Sequence, residues 1–163
     1  MAPKIEFVLA ATVLALVLTA LGHALATGAL ADRAGDGWRT TLVWSPSGGL
    51  AALLATCLAL RWHARALARS RRWSAGGLTL RTLLLAYVLL PATVAGWLLF
   101  TGLLDQWFAA QAMPMRELLD WVGAIVVASS LAAVVFGAIP AFVCGYFLCR
   151  RYLRRQRSIT GLA

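Results

Sequence analysis

The side chains able to do chemistry in this chain are few and far apart. There are two histidines, six aspartates and glutamates together, three cysteines and no asparagine. His23 is the one ionisable side chain well inside an apolar run, and an ionisable group held in hydrocarbon is a functional candidate by default. It stands ~27 Å beyond Ile5 at 1.5 Å per helical residue, close to a membrane face. A hydrogen-bonded interfacial histidine is therefore the expectation, ahead of a ligand role. His63 falls at the opposite face, so the two histidines cannot hold one haem within a single chain. Asp105 and Asp120 bracket the connection between the third and fourth apolar segments. Two carboxylates that converge can carry acid–base hydrolysis. The expectation here is helix-boundary residues, with Asp120 at the positive end of the last segment's dipole. Cys57, Cys144 and Cys149 crowd toward one membrane face with no CxxC spacing, which leaves them as small apolar side chains. Met113 and Met115 flank Pro114. Thioethers suit Cu(I), but with no histidine nearby, packing explains them better. Neither a metal site nor a cofactor is expected.

The elements that carry these residues are read from hydropathy. Of 163 residues, 61% are hydrophobic and 13% charged, with a mean hydropathy of +0.80. A small soluble domain exposes a large share of its surface and needs more charge than this, and disorder requires low hydrophobicity. An odd number of cysteines excludes a disulfide scaffold. The reading is an all-α integral membrane protein. A spanning helix needs about 20 mainly apolar residues, and 5–30, 78–104 and 121–149 meet that requirement. Residues 45–62 are marginal, with Ser45–Pro46 offering an N-cap followed by a first-turn proline. The amino end also has the look of a secretion signal, with Ala24-Leu25-Ala26 as a small-x-small site. Glu6 in its positive region and the length of the apolar run favour a retained first helix.

Charge decides whether the marginal segment crosses. Arg61, Arg65, Arg69, Arg71, Arg72 and Arg81 lie between the second and third segments, and Arg150, Arg151, Arg154, Arg155 and Arg157 follow the fourth, with no acid in either group. Adding Lys4 makes 12 of the 15 cations, and Arg33, Arg39 and Arg116 are the remaining 3. Lys and Arg are retained on the cytoplasmic side during insertion. Four crossings put all 12 on that side, and three crossings would split the two clusters. The expected architecture is a single four-transmembrane-helix bundle with both termini cytoplasmic. Trp38, Trp44, Trp107 and Trp121 fall at the outer boundary, and Trp62, Trp73, Tyr146 and Tyr152 at the inner one, as interfacial rings should. Four crossings with both ends inside match the general architecture of lipoprotein signal peptidases. Those enzymes surround their aspartates with asparagine-containing motifs, which this chain lacks, so the likeness ends at the number of crossings.

Ser129, Ala133, Gly137, Ala141 and Gly145 recur every four residues and make one continuous small-residue stripe. In lipid, close backbone approach supplies much of the association between helices. The stripe either packs the chain's own helices together or faces another subunit. Pro91 and Pro140 fall inside spans and are read as static bends. The two arginine clusters set orientation, with anionic headgroups or an acidic cytoplasmic partner as the surfaces they would meet. No nucleic-acid reader motif accompanies the charge.

Three functions follow as expectations for a multi-pass protein of a bacterial inner membrane. The first is a non-catalytic accessory or scaffold subunit, docking on another membrane protein or on a second copy through the stripe. The second is the protomer of a small oligomeric transporter or channel, which a hydrophobic substrate would suit better than an ion. The third is a membrane-embedded hydrolase using Asp105 and Asp120.

Overall fold

A computed structural model describes residues 3–29, 36–71, 73–108 and 114–159, apart from the side chains of Asp36, Arg157 and Ile159. Four helices account for nearly all of these residues: α1 (Pro3–Thr27), α2 (Asp36–Ala68), α3 (Ala75–Phe108) and α4 (Met115–Ile159). Each is long and apolar enough to cross a membrane, so the chain has the make-up of an all-α, multi-pass membrane protein. At 1.5 Å per residue the 45-residue α4 is about 67 Å long, more than twice a hydrocarbon core of about 30 Å. Its arginine-rich last turns therefore extend past any span.

Local chemistry explains where the helices begin and end. α1 opens on Pro3, whose missing N–H costs nothing in a first turn, with Glu6 at the positive end of the dipole. It closes at Gly28, whose φ of 69° lets the Ala29 and Gly28 N–H groups return to the Ala24 and Leu25 carbonyls at 2.9 and 3.4 Å. α2 closes in the same way without a glycine: Ser70 takes a φ of 58°, and Arg71 N–H reaches the Ala66 carbonyl at 2.9 Å. Ser74 caps α3, its Oγ accepting from Gly77 N–H at 3.1 Å.

α2 begins at Asp36, well ahead of Ser45–Pro46, so Pro46 sits inside the helix and not at its start. A proline there deprives the Leu42 carbonyl of its usual i+4 donor. Ser45 Oγ supplies the replacement, donating to that carbonyl at 3.1 Å. The pair that reads as a helix start is thus a repaired interruption, and α2 gains about three turns.

The helices form an antiparallel ring. α1 packs on α2 and α4, and α3 packs on the same two, while the diagonals α1/α3 and α2/α4 make no close backbone approach among the described residues. α2 has the lowest span hydropathy of the four and the largest buried share. Its Ala51, Ala55, Thr56 and Ala59 are essentially inaccessible. Small side chains explain the inversion, because they let neighbouring backbones come close. Positions on α2 for Gly48 and Gly49 lie directly under α1: a Cβ on Gly48 would collide with the Thr19 side chain, and one on Gly49 would stand 2.7 Å from Leu16 Cδ2.

That contact gives a prediction. Gly48→Leu should destabilise the bundle by about 1–3 kcal/mol through overpacking, read as a lower melting temperature in detergent. Gly96→Ala, whose Cβ meets open space, should leave it unchanged. Equal melting of the two variants would contradict the α1–α2 approach.

Candidate functional site

Where the diagonals fail to meet, the ring encloses a cavity of about 400 Å³ lined by all four helices. This falls within the 300–1,000 Å³ range of small-molecule sites. α1 contributes a wall that includes Leu14, Ala15, Leu18 and Gly22, and α3 contributes Leu83, Ala86, Tyr87 and Leu90. The entire small-residue stripe of α4 (Ser129, Ala133, Gly137, Ala141 and Gly145) also lines it. The stripe faces the interior, where the absence of bulk leaves room.

Polar residues in the wall are mostly turned back on their own helices. Thr56 donates to the Ala52 carbonyl at 2.7 Å, Thr79 to Ala75 at 2.8 Å and Thr82 to Leu78 at 2.9 Å. Ser47 donates to Trp44 at 2.8 Å, and Thr27 to His23 at 2.8 Å. In such back-bonded rotamers the hydroxyl is satisfied by the helix. The hollow is therefore mainly carbon-walled, with few free donors or acceptors to replace the hydration shell of an ion.

The arginine-rich end of the cavity is closed. Phe7 of α1 meets Tyr152 of α4 with ring centroids 5.1 Å apart, and the two pack with Ala59 of α2, Leu78 of α3 and Cys149 of α4. Just outside this floor Glu6 pairs with Arg151 at 2.8 Å and with Arg155. The opposite end is different. A second cluster of Ala51, Leu90, Val94 and Leu98, backed by Trp44, Val122 and Ile125, joins α2, α3 and α4 without α1. Counting 20 residues on from Phe7 and 20 back from Tyr152 sets Thr27 roughly level with Ala132. α1 ends there, and the lining residues Ala26, Thr27, Ala128 and Phe136 are exposed. The cavity has a floor at one end and a mouth between α1 and α4 at the other.

His23 lies in the wall at the mouth, with Nδ1 hydrogen-bonded to Thr41 Oγ1 at 3.0 Å. His63 is buried at the floor end between Trp73 (5.3 Å) and Tyr152 (6.3 Å), and its Nδ1 has no partner among the described residues. Arg81 stacks over the same Trp73 at 3.9 Å. Asp105 and Asp120 are exposed at the mouth end, with no hydrogen bond or ion pair among the described residues. Arg61, Arg65, Arg69, Arg71, Arg150, Arg151, Arg154 and Arg155 are exposed at the floor end. Arg72, Met113 and the side chain of Arg157 lie outside the described residues. The three cysteines are unpaired, and no metal-binding cluster occurs among the described residues.

Two features escape a reading of the sequence. One is the Glu6–Arg151/Arg155 pairing, whose signal was a lone acid in a basic amino end. The other is the hollow, because periodicity reveals a small-residue face without revealing whether a neighbour fills it.

The floor makes a testable asymmetry. Glu6→Gln should cost no more than ~1 kcal/mol, because the pair is solvent-accessible, and the loss should shrink as salt is added. Phe7→Ala should cost more, about 3–5 kcal/mol for truncating a buried core ring, with no salt dependence. Thermal unfolding in detergent at low and high ionic strength separates them, and an equal salt response in both variants would contradict the assignment.

The chain matches no known protein family, and no curated protein or solved structure is significantly similar to it.

Proposed function

We propose that the chain is a non-catalytic multi-pass membrane protein that holds an apolar guest in the cavity between its four helices. The observation that carries this reading is a carbon-walled hollow of about 400 Å³ with a floor and a mouth. An apolar hole stays dry, and an unfilled one forfeits the dispersion contacts of its lining. Inside a bilayer the molecules at hand to fill it are themselves apolar. A protein that holds without transforming serves another membrane component, so an accessory role belongs to the same reading. A partner subunit using the stripe of α4 would have to enter through the mouth. Ion conduction is poorly supported, since Thr56, Thr79 and Thr82 return their hydroxyls to their own helices and few polar groups remain free in the wall. Hydrolysis by Asp105 and Asp120 draws no support from two exposed, unpartnered carboxylates.

The proposed setting is the inner membrane of a bacterium, with both termini cytoplasmic and the floor of the cavity on the cytoplasmic side. Both arginine clusters support this orientation, and they would meet anionic headgroups there. In a chain freed of Cys57, Cys144 and Cys149, Arg69→Cys should react with an impermeant thiol reagent only from the cytoplasm. Gln106→Cys should react only from outside. The reverse pattern would overturn the orientation.

The guest is tested by lipid analysis of protein purified in mild detergent. A Cβ on Gly137 would lie 3.6 Å from the Tyr87 hydroxyl, an ordinary contact, so Gly137→Ala should keep the co-purifying apolar material. Gly137→Leu puts a branched side chain into the hollow and should reduce that material severalfold, with the helix content unchanged. Equal retention by both variants would overturn the reading.

A further inference from the structure

The depth of the cavity and the placement of its free polar groups say more about the guest. From His23 at the mouth to Phe7 at the floor, α1 lines the hollow for 16 residues, or roughly 24 Å. This exceeds one leaflet, about half of a 30 Å hydrocarbon core. An extended chain advances roughly 1.2 Å per backbone bond, so the depth corresponds to a single chain of about 20 bonds. Below His23, Thr56, Thr79 and Thr82 bond to their own helices, and the floor is formed by Phe7, Leu148 and Cys149. The hydroxyl of Thr19, free among the described residues, lies one helical turn from His23. At the mouth His23 uses Nδ1 on Thr41, while Nε2 has no partner among the described residues. Charge at this end disfavours an anion: among the described side chains the exposed carboxylates Asp105, Glu117 and Asp120 outnumber the exposed cations Arg39 and Arg116.

We propose that the guest is a single-chain lipid with an uncharged, hydroxyl-bearing head. Its head hydrogen-bonds to His23 at the mouth, and its chain runs down the hollow to the Phe7–Tyr152 floor. The proposal rests on the cavity-holding reading and names the class of guest.

Monoacylglycerols test it as probes, in a saturated series from about 10 to about 20 carbons, the upper limit set by the depth of the hollow. Binding to the purified full chain is measured by native mass spectrometry, alongside the free fatty acid and the lysophosphatidylglycerol of the longest chain. Wild-type binding should strengthen with chain length to the end of the series and favour the monoacylglycerol over both anionic probes. Ala15 lies halfway down the wall, roughly 12 Å from His23. Ala15→Phe should therefore end the gain at about half the chain length, since a ring at that depth blocks the lower cavity. His23→Ala should weaken the hydroxyl head about fivefold, the worth of one hydrogen bond, at every chain length. Melting temperatures and helix content confirm that both variants fold, and if Ala15→Phe fails to fold, Ala11→Phe gives the same test nearer the floor.

Preference for either anionic probe would overturn the proposal, as would an unchanged length limit in the folded phenylalanine variant. Loss of binding in His23→Ala that is no greater for the monoacylglycerol than for the fatty acid would remove His23 from the head site. Chain binding that survives Gly137→Leu would overturn the cavity reading itself. Chain binding that fails in Gly137→Leu, but shows no preference among heads, would overturn only the class of guest.

Discussion

The hydrogen bonds that Thr56, Thr79 and Thr82 return to their own helices set the character of the whole interior. A free hydroxyl in hydrocarbon costs free energy, and it is satisfied by a neighbouring helix, by water or by the backbone one turn away. The first choice would draw the ring of helices inward, and the second would wet it. The third satisfies these hydroxyls within their own helices and leaves the middle of the bundle lined mainly by carbon. A hollow can then persist, because the hydrogen bonds that link helices along it, His23–Thr41, Tyr87–Ala133 and Trp97–Val43, each join neighbours in the ring and none crosses its middle.

Small side chains act in two opposite ways around that hollow. On α2 they bring neighbours together, because a facing side chain occupies the space they leave: Thr19 lies over Gly48 and Leu16 over Gly49. On α4 the same residue types line the hollow and meet α3 only lightly at its edge, with Tyr87 Oη donating to the Ala133 carbonyl at 3.5 Å. A Cβ on Gly137 would meet only the Tyr87 hydroxyl, and one on Gly145 only the methyl of Thr79. A repeating four-residue stripe is thus an interface when a neighbour is opposite and an opening when none is. The ring arrangement decides between the two.

This distinction marks how far the sequence could be read. Hydropathy and arginine placement were enough for four long helices, and the structure has four of sufficient length and apolarity. The start of α2 was not legible at Ser45–Pro46, since the pattern of an N-cap before a proline is shared by a hydroxyl repairing a proline gap. The end of α2 was hidden for a related reason, with Ser70 taking the left-handed conformation usually left to glycine. Neither Phe7 nor Tyr152 carries a local signal that they meet, because their contact depends on the register of helices at opposite ends of the chain. The stripe on α4 could be found by counting, but its direction could not.

In water an apolar hollow of this size would be under pressure to collapse, because burying its lining releases solvent. In a bilayer the surroundings of the bundle are as apolar as its walls, and that drive is absent. What remains is dispersion, which favours filling the hollow but is indifferent to whether a side chain or a guest supplies the atoms. Keeping alanine and glycine along the wall leaves the second option available. The Phe7–Tyr152 contact and the Glu6 pairing hold α1 to α4 at one end, while α1 stops short at the other. An asymmetric clamp of this kind gives the hollow a direction, so that a chain can enter by the mouth and is stopped by aromatic rings at the floor.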